Sequence, residues 1–138
     1  PGNPASVPEA TVRQWVEEGV LQWLGHVEDM PALFRSVDVV ALPSYREGLP
    51  KGLIEAGASG CALVTTDVPG CREVVTDGVT GMLVTARDSE VLADAFRQLA
   101  VDAQMRMRLA AAARREAVER FDERIVLSNT LETYRSVV

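Results

Sequence analysis

Histidine occurs once and cysteine twice in this sequence, and aromatic residues make up only 5% of it. A single histidine, His26, leaves no histidine cluster to ligate a metal. Cys61 and Cys71 lack metal-site spacing and the density of a secreted disulfide scaffold, which fits a reducing compartment, with one thiol buried and the other partly exposed. No run approaches the roughly 20 apolar residues of a membrane span. Excess positive charge is missing too: 20 acidic against 14 basic residues leave a net charge of −6. The arginines between positions 97 and 120 are interleaved with Asp102, Glu116 and Glu119, so nucleic acid is not an expected partner.

What is present is enough apolar material for a core, 47% of 138 residues. The opening residues Pro1-Gly2-Asn3-Pro4-Ala5-Ser6-Val7-Pro8 have neither the basic nor the apolar region of a signal peptide and read as an internal cut point. Helical and extended patterns then alternate. A helix is expected over residues 8–18, closed by Gly19, then a strand over 20–24 and an Asp29-capped helix over 30–36. Residues 38–43, 61–66 and 81–84 read as further strands, and 51–59 as a helix ended by Gly60. Pro69-Gly70 marks a loop and residues 72–75 a short helical turn. Ser89 is placed as the cap of a helix over 90–100, and Asp102 starts another through residue 120. A third helix over 123–138 has Ile125, Val126, Leu131, Tyr134 and Val137 available for one face, and Met105, Met107 and Leu109 read as core. Apolar strands separated by helices predict an α/β fold, a parallel sheet covered on both sides.

In such sheets ligands bind beyond the carboxyl ends of the strands. Three loops there are candidates: Gly25-His26-Val27-Glu28-Asp29, residues 44–50, and Asp67-Val68-Pro69-Gly70. The second is the most informative. Pro50 suits the first helical position, which puts the amides of Gly48, Leu49, Lys51 and Gly52 at a helix start, where phosphate is favoured. Glu47 precedes that helix and Glu55 lies about a turn and a half inside it, so the two carboxylates can flank a ligand. Other readings stay open: an ion pair of Glu47 with Arg46 or Lys51, an ordinary surface role for Glu55, a solvated Lys51, and His26 as a general base or as part of a base pocket.

Glu47 and Glu55, with seven residues between them, resemble the E-x7-E motif of retaining, nucleotide-sugar-dependent glycosyltransferases of the GT-B fold. Leu24-Gly25, residues 38–44, Glu47-Gly48-Leu49-Pro50, Glu55-Ala56, residues 66–70, Glu73-Val74-Val75, Asp77-Gly78 and residues 81–84 are similar to that family in order and spacing. The resemblance implies a Rossmann-like sheet with flanking helices, the later part of the C-terminal half of a GT-B fold. Residues 122–138 would then be a terminal helix packing toward an N-terminal acceptor domain. It implies Glu47 at the catalytic centre on the donor-sugar hydroxyls, Glu55 on the ribose, and the turn at Gly48, Leu49, Pro50 and Lys51 on the diphosphate. Gly25, His26 and Val27 would border the base. The position of Cys71 and Arg72 after the Pro69-Gly70 turn is what places them near the sugar.

The resemblance also implies a nucleotide diphosphate sugar as donor, a UDP-sugar by the Glu47-to-Lys51 wording, and an acceptor glycan or lipid-linked sugar met through another domain. No cofactor or metal is implied, and the setting is cytoplasmic, at the inner membrane face. An arginine and lysine pair that the family uses for diphosphate has no counterpart before Trp15. In the family strand order 3-2-1-4-5-6, the two strands beside residues 38–43 are not in this sequence, so an exposed sheet edge and self-association of the isolated chain are expected. The alternatives are a non-catalytic α/β nucleotide-binding or interaction module and, less well matched, a nucleotide-sugar epimerase.

Overall fold

A computed structural model describes residues 7–137; residues 1–6, Val138 and the side chains of Asn129, Ser136 and Val137 lie outside that description, and parts of the sequence reading fell on residues 1–6, 137 and 138. The element order is α1 (Glu9–Glu17), α2 (Met30–Arg35), β1 (Val39–Leu42), α3 (Lys51–Ala58), β2 (Ala62–Thr66), α4 (Pro69–Arg72), β3 (Gly81–Val84), α5 (Ser89–Val101), α6 (Ala103–Phe121) and α7 (Glu123–Val137). The three strands are parallel in the order β1-β2-β3. Val39 pairs with Ala62 and Leu42 with Thr65, while Leu63 pairs with Gly81 and Thr66 with Val84.

That register sorts the apolar side chains onto two faces, since alternate strand residues point opposite ways. Val40, Leu42, Leu63 and Leu83 face a cluster with Phe34, Leu53, Ala56 and Ala113. Val39, Ala41, Ala62, Val64, Met82 and Val84 face a second cluster with Ala95, Leu99 and Leu109. Every residue of β2 is buried, as a central strand covered on both sides requires. The expected α/β class is therefore the observed one.

Residues 20–24 are not a strand. They have strand-like composition, but a strand exists only through a partner's amides and carbonyls, and among the described residues none lies alongside. Val20 is 68% exposed and Trp23 54%. β1 stands at the sheet edge with its four residues only half-buried, as the strand-order argument anticipates.

Smaller differences have local causes. The helix after Val68 starts at Pro69, not at Arg72, because proline already has helical φ and needs no donor in a first turn. Asp88, not Ser89, caps α5, its carboxylate accepting from the amides of Glu90 and Val91 at 3.1 Å. Asp102 caps α6 as expected, accepting from Met105 N at 2.8 Å, an arrangement worth about 1 kcal/mol. Leu109 is buried and Met105 half-buried against the core, whereas Met107 is 63% exposed, since two residues along a helix turn the side chain to the far face. Both cysteines are buried, Cys61 bonded to the Phe34 carbonyl at 3.1 Å, so the partly exposed thiol does not exist.

Asp122 separates α6 from α7. Its carboxylate accepts from the Arg124 backbone amide at 2.9 Å and from the Arg124 guanidinium at 2.7 and 3.0 Å. The guanidinium, then the amide, hold the carboxyl down at about 2. A folded-state value below the unfolded one means that the pair stabilises this junction above the ordinary carboxylate range of about 4, and that its contribution fades as pH falls toward 2. An NMR titration of Asp122 should show its midpoint near 2, returning toward about 4 in Arg124→Ala. An ordinary midpoint in the unaltered chain would disprove the pairing in solution. The exposed Ile125, Val126, Leu131 and Tyr134 of α7 face no core.

Candidate functional site

Beyond the carboxyl end of β1 the chain makes the turn that leads into α3. The Thr66 hydroxyl, at the end of β2, donates to the Ser44 carbonyl and fixes the start of the turn. The Ser44 hydroxyl then donates to Glu47 Oε1 at 2.5 Å. Glu47 is half-buried, and this bond, not an ion pair with Arg46 or Lys51, is the one that holds its carboxylate. Pro50 is buried and sits one position earlier than expected: its backbone is extended (φ −75°, ψ 93°) and its carbonyl accepts from Leu53 N and Ile54 N. It is the residue flanking the helix, and Lys51 is the first helical one. The amides of Lys51 and Gly52 precede the first intrahelical donor, so they are left for solvent or a ligand at the positive end of α3.

α3 has two sides. Leu53, Ala56 and Gly57 are buried toward the core, and Gly57 lies close to Ala113 of α6. Lys51, Gly52 and Glu55 are exposed on the other side, as are Gly48 and Leu49 in the turn. The site is thus a rim of backbone amides with one carboxylate anchored before the helix and another standing free within it. The anchored one has a fixed direction; the free one can adapt to a ligand.

The loop after β2 braces this turn. A methyl group built on Gly70 would lie 2.2 Å from the Gly48 carbonyl oxygen and 2.3 Å from that of Glu47, so only glycine allows α4 to abut the Glu47-Gly48 peptide. Nearby, Arg72 Nε donates to Asp67 Oδ1 at 2.5 Å, and this bond holds the Asp67 carboxyl below its usual range. Arg72 is therefore engaged in its own loop. Cys71 is wholly buried, 3.0 Å from the Thr65 hydroxyl, which itself donates to the Leu42 carbonyl at 2.7 Å; the thiol does not approach a ligand. Burial explains this: the residue after Gly70 points into the core that Gly70 brings close.

Two of the three candidate loops therefore meet. Gly25 (φ +66°), His26 and Val27 precede α2, which packs against α3, but no hydrogen bond among the described residues ties them to the turn. Gly25 and His26 are exposed, and Val27 is half-buried.

The sequence reading missed a cavity of about 590 Å³ at the carboxyl ends of all three strands, lined by Pro43, Tyr45, Thr66, Thr85, Arg87 and Ser89 among others. Arg87 has φ 65°, the one left-handed residue other than glycine among those described, a backbone state costing about 1–2 kcal/mol. Its guanidinium stacks 5.2 Å from the centre of the Tyr45 ring. Nothing local in the sequence signals this, since neither neighbour of Arg87 is a turn-forming glycine or proline.

The family model described as "Glycosyl transferases group 1" matches residues 2–102. The chain belongs to the glycosyl transferases group 1 family. Its sequence is 30% identical over 131 residues to the N,N'-diacetylbacillosaminyl-diphospho-undecaprenol alpha-1,3-N-acetylgalactosaminyltransferase of Campylobacter jejuni, covering 95% of this chain and 35% of that protein. It is 40% identical over 111 residues to the D-inositol 3-phosphate glycosyltransferase of Salinispora arenicola, covering 80% of this chain and 25% of that one. Among solved structures it resembles Anabaena HepE in complex with UDP and glucose, with TM-score 0.86, 29% identity and coverage of 93% of this chain and 36% of that one. This group 1 glycosyltransferase chain thus spans between a quarter and about a third of the length of these relatives. Its parallel sheet and flanking helices are the Rossmann-like arrangement of GT-B glycosyltransferases. No helix among the described residues is long and apolar enough to cross a membrane.

Proposed function

We propose that this chain is the donor-binding part of a retaining glycosyltransferase that moves a sugar from a nucleotide diphosphate sugar, a UDP-sugar, to an acceptor hydroxyl. The observation that carries this reading is the turn itself: a carboxylate anchored by Ser44 beside the free amides that open α3. Sugar hydroxyls are donors and suit Glu47; the diphosphate suits the amides of Gly48, Leu49, Lys51 and Gly52. Glu55, exposed on the same helix, accepts from the ribose, and Gly25, His26 and Val27 border the base. HepE, solved with UDP and with UDP-glucose, supports the choice of donor.

The chemistry follows from charge. As the glycosidic bond breaks, negative charge accumulates on the leaving diphosphate, and preorganised amides stabilise it more in the transition state than in the bound donor. The site as proposed uses no metal ion and no cofactor. Residues 1–138 act as part of a C-terminal donor domain, with residues 122–138 packing toward the acceptor domain. The acceptor is a glycan or lipid-linked sugar in surface polysaccharide or glycolipid synthesis, at the inner face of the membrane; the relative from Campylobacter jejuni, named for a diphospho-undecaprenol, supports that class.

Titration calorimetry with UDP, GDP and ADP on the longest natural polypeptide carrying this chain tests the reading. UDP should bind best, and Glu55→Ala should weaken it by about tenfold or more, the worth of a hydrogen bond to a charged group. UDP affinity that is absent or indifferent to Glu55→Ala refutes the assignment. Binding without any transfer by that polypeptide would mark a non-catalytic nucleotide-binding module.

A further inference from the structure

We propose, on the glycosyltransferase reading of the turn, that Thr66 is a positioning residue for sugar transfer: its hydroxyl holds Ser44, and Ser44 in turn holds the Glu47 carboxylate.

Thr66 ends β2, all five residues of which are buried, and is itself 2% exposed. A valine would suit such a strand at nearly the same size and would bring no hydroxyl in need of a partner. The hydroxyl has its partner because of how the neighbouring strand ends. β1 and β2 stay in register from Val39 opposite Ala62 to Leu42 opposite Thr65, which sets Pro43 against Thr66. Proline has no N–H, so β1 offers no donor there to carry the ladder on. Beyond that point a side chain of β2 takes over, and the Thr66 hydroxyl donates to the carbonyl of Ser44.

The amide, carbonyl and hydroxyl of Ser44 are thereby all engaged. The amide donates to the Leu42 carbonyl at 2.9 Å, the carbonyl accepts from Thr66, and the hydroxyl donates to Glu47 Oε1 at 2.5 Å. A serine with a free backbone would move with the turn and pass that motion to the carboxylate. Here it is tied to the central strand of the sheet, so Glu47 is held from the core through two hydrogen bonds in series. The stack of Arg87 on Tyr45 steadies the same segment from the solvent side, but Tyr45 is 61% exposed, where such a contact is weak. Thr65 is the natural contrast. Its hydroxyl also leaves β2 for a carbonyl, that of Leu42 at 2.7 Å, which belongs to β1 itself. Thr65 secures the strand; Thr66 secures the turn.

The test is steady-state kinetics with a UDP-sugar and calorimetry with UDP, on the longest natural polypeptide carrying this chain. Thr66→Val preserves the strand, and because Thr66 lines the cavity, the Ser44 carbonyl it releases can bond to water, so the fold survives. Its kcat should fall about tenfold, less than the roughly hundredfold cost of a misplacement near 1 Å, with KM and UDP affinity nearly unchanged. Thr66→Ser should regain the rate. In a Glu47→Ala background Thr66→Val should cost nothing more, since a residue that acts through Glu47 then has nothing to position. Thr65→Val should lower the urea midpoint and leave kcat as it was. A parental kcat in Thr66→Val, an equal loss with and without Glu47, a loss that Thr66→Ser does not recover, or the same loss in Thr65→Val overturns the positioning role. If Glu47→Ala costs the rate and Thr66→Val does not, the positioning role alone fails; if UDP does not bind or Glu47→Ala is harmless, the donor reading fails with it.

Discussion

Replacing Glu47 by alanine should lower kcat of the intact enzyme by about a thousandfold, the scale seen when one aligned transition-state contact is removed. The affinity for UDP should stay nearly unchanged, because UDP lacks the donor sugar that Glu47 is proposed to hold. The expectation follows from how the side chain is built in. Ser44 fixes one carboxylate oxygen at 2.5 Å, which leaves the other for a ligand. Such a group contributes by alignment, and alignment is lost all at once. Glu47→Gln keeps the shape and an acceptor oxygen, and should recover part of the rate. Ser44→Ala should fall between the two, since the carboxylate survives but its tether does not. The fold is not at stake: Glu47 is half-buried in a turn, and neither core cluster contains it. Steady-state kinetics with a UDP-sugar, together with UDP calorimetry, separates the outcomes. A kcat for Glu47→Ala within the error of the parent, or a loss confined to UDP affinity, removes Glu47 from the catalytic centre.

Much of this architecture was legible in the sequence because its signals are local. Asp29 and Asp102 announce helix starts through a side chain that bonds an amide three residues on, and both do so in the structure. β2 and β3 were legible as short apolar runs because burial on both faces leaves no room for polar alternation. Where the reading failed, the missing information was non-local. Residues 20–24 have the composition of a strand, but pairing is decided by what lies beside them. Cys71 was placed near the ligand by its position after Pro69-Gly70, whereas the packing of Gly70 on Glu47-Gly48 turns it into the core. Arg87 and Tyr45 are 42 positions apart, and no pattern along the chain announces that they stack.

Gly70→Ala should be the most damaging single-methyl substitution near the site. The added carbon would meet the carbonyl oxygens of Gly48 and Glu47 at 2.2 and 2.3 Å, and these are backbone atoms with no rotamer to yield. Overpacking of that kind costs about 3 kcal/mol, read as a lower urea midpoint at an unchanged slope. The chain has one other route, which is to push the Glu47-Gly48 peptide away from α4. That relieves the clash but moves the anchored carboxylate and the first amides of α3 together. A displacement near 1 Å at such a site is worth about a hundredfold in rate. The two routes give opposite signatures: an unstable protein that is active while folded, or a stable one that binds and turns over donor poorly. Gly52→Ala is the control, because a methyl there meets nothing within 4 Å and alanine favours a helix by up to about 1 kcal/mol over glycine. Its stability should rise. If Gly70→Ala instead matched the parent in both stability and donor turnover, the contact between α4 and the turn would not exist in solution, and the two loops would not form one site.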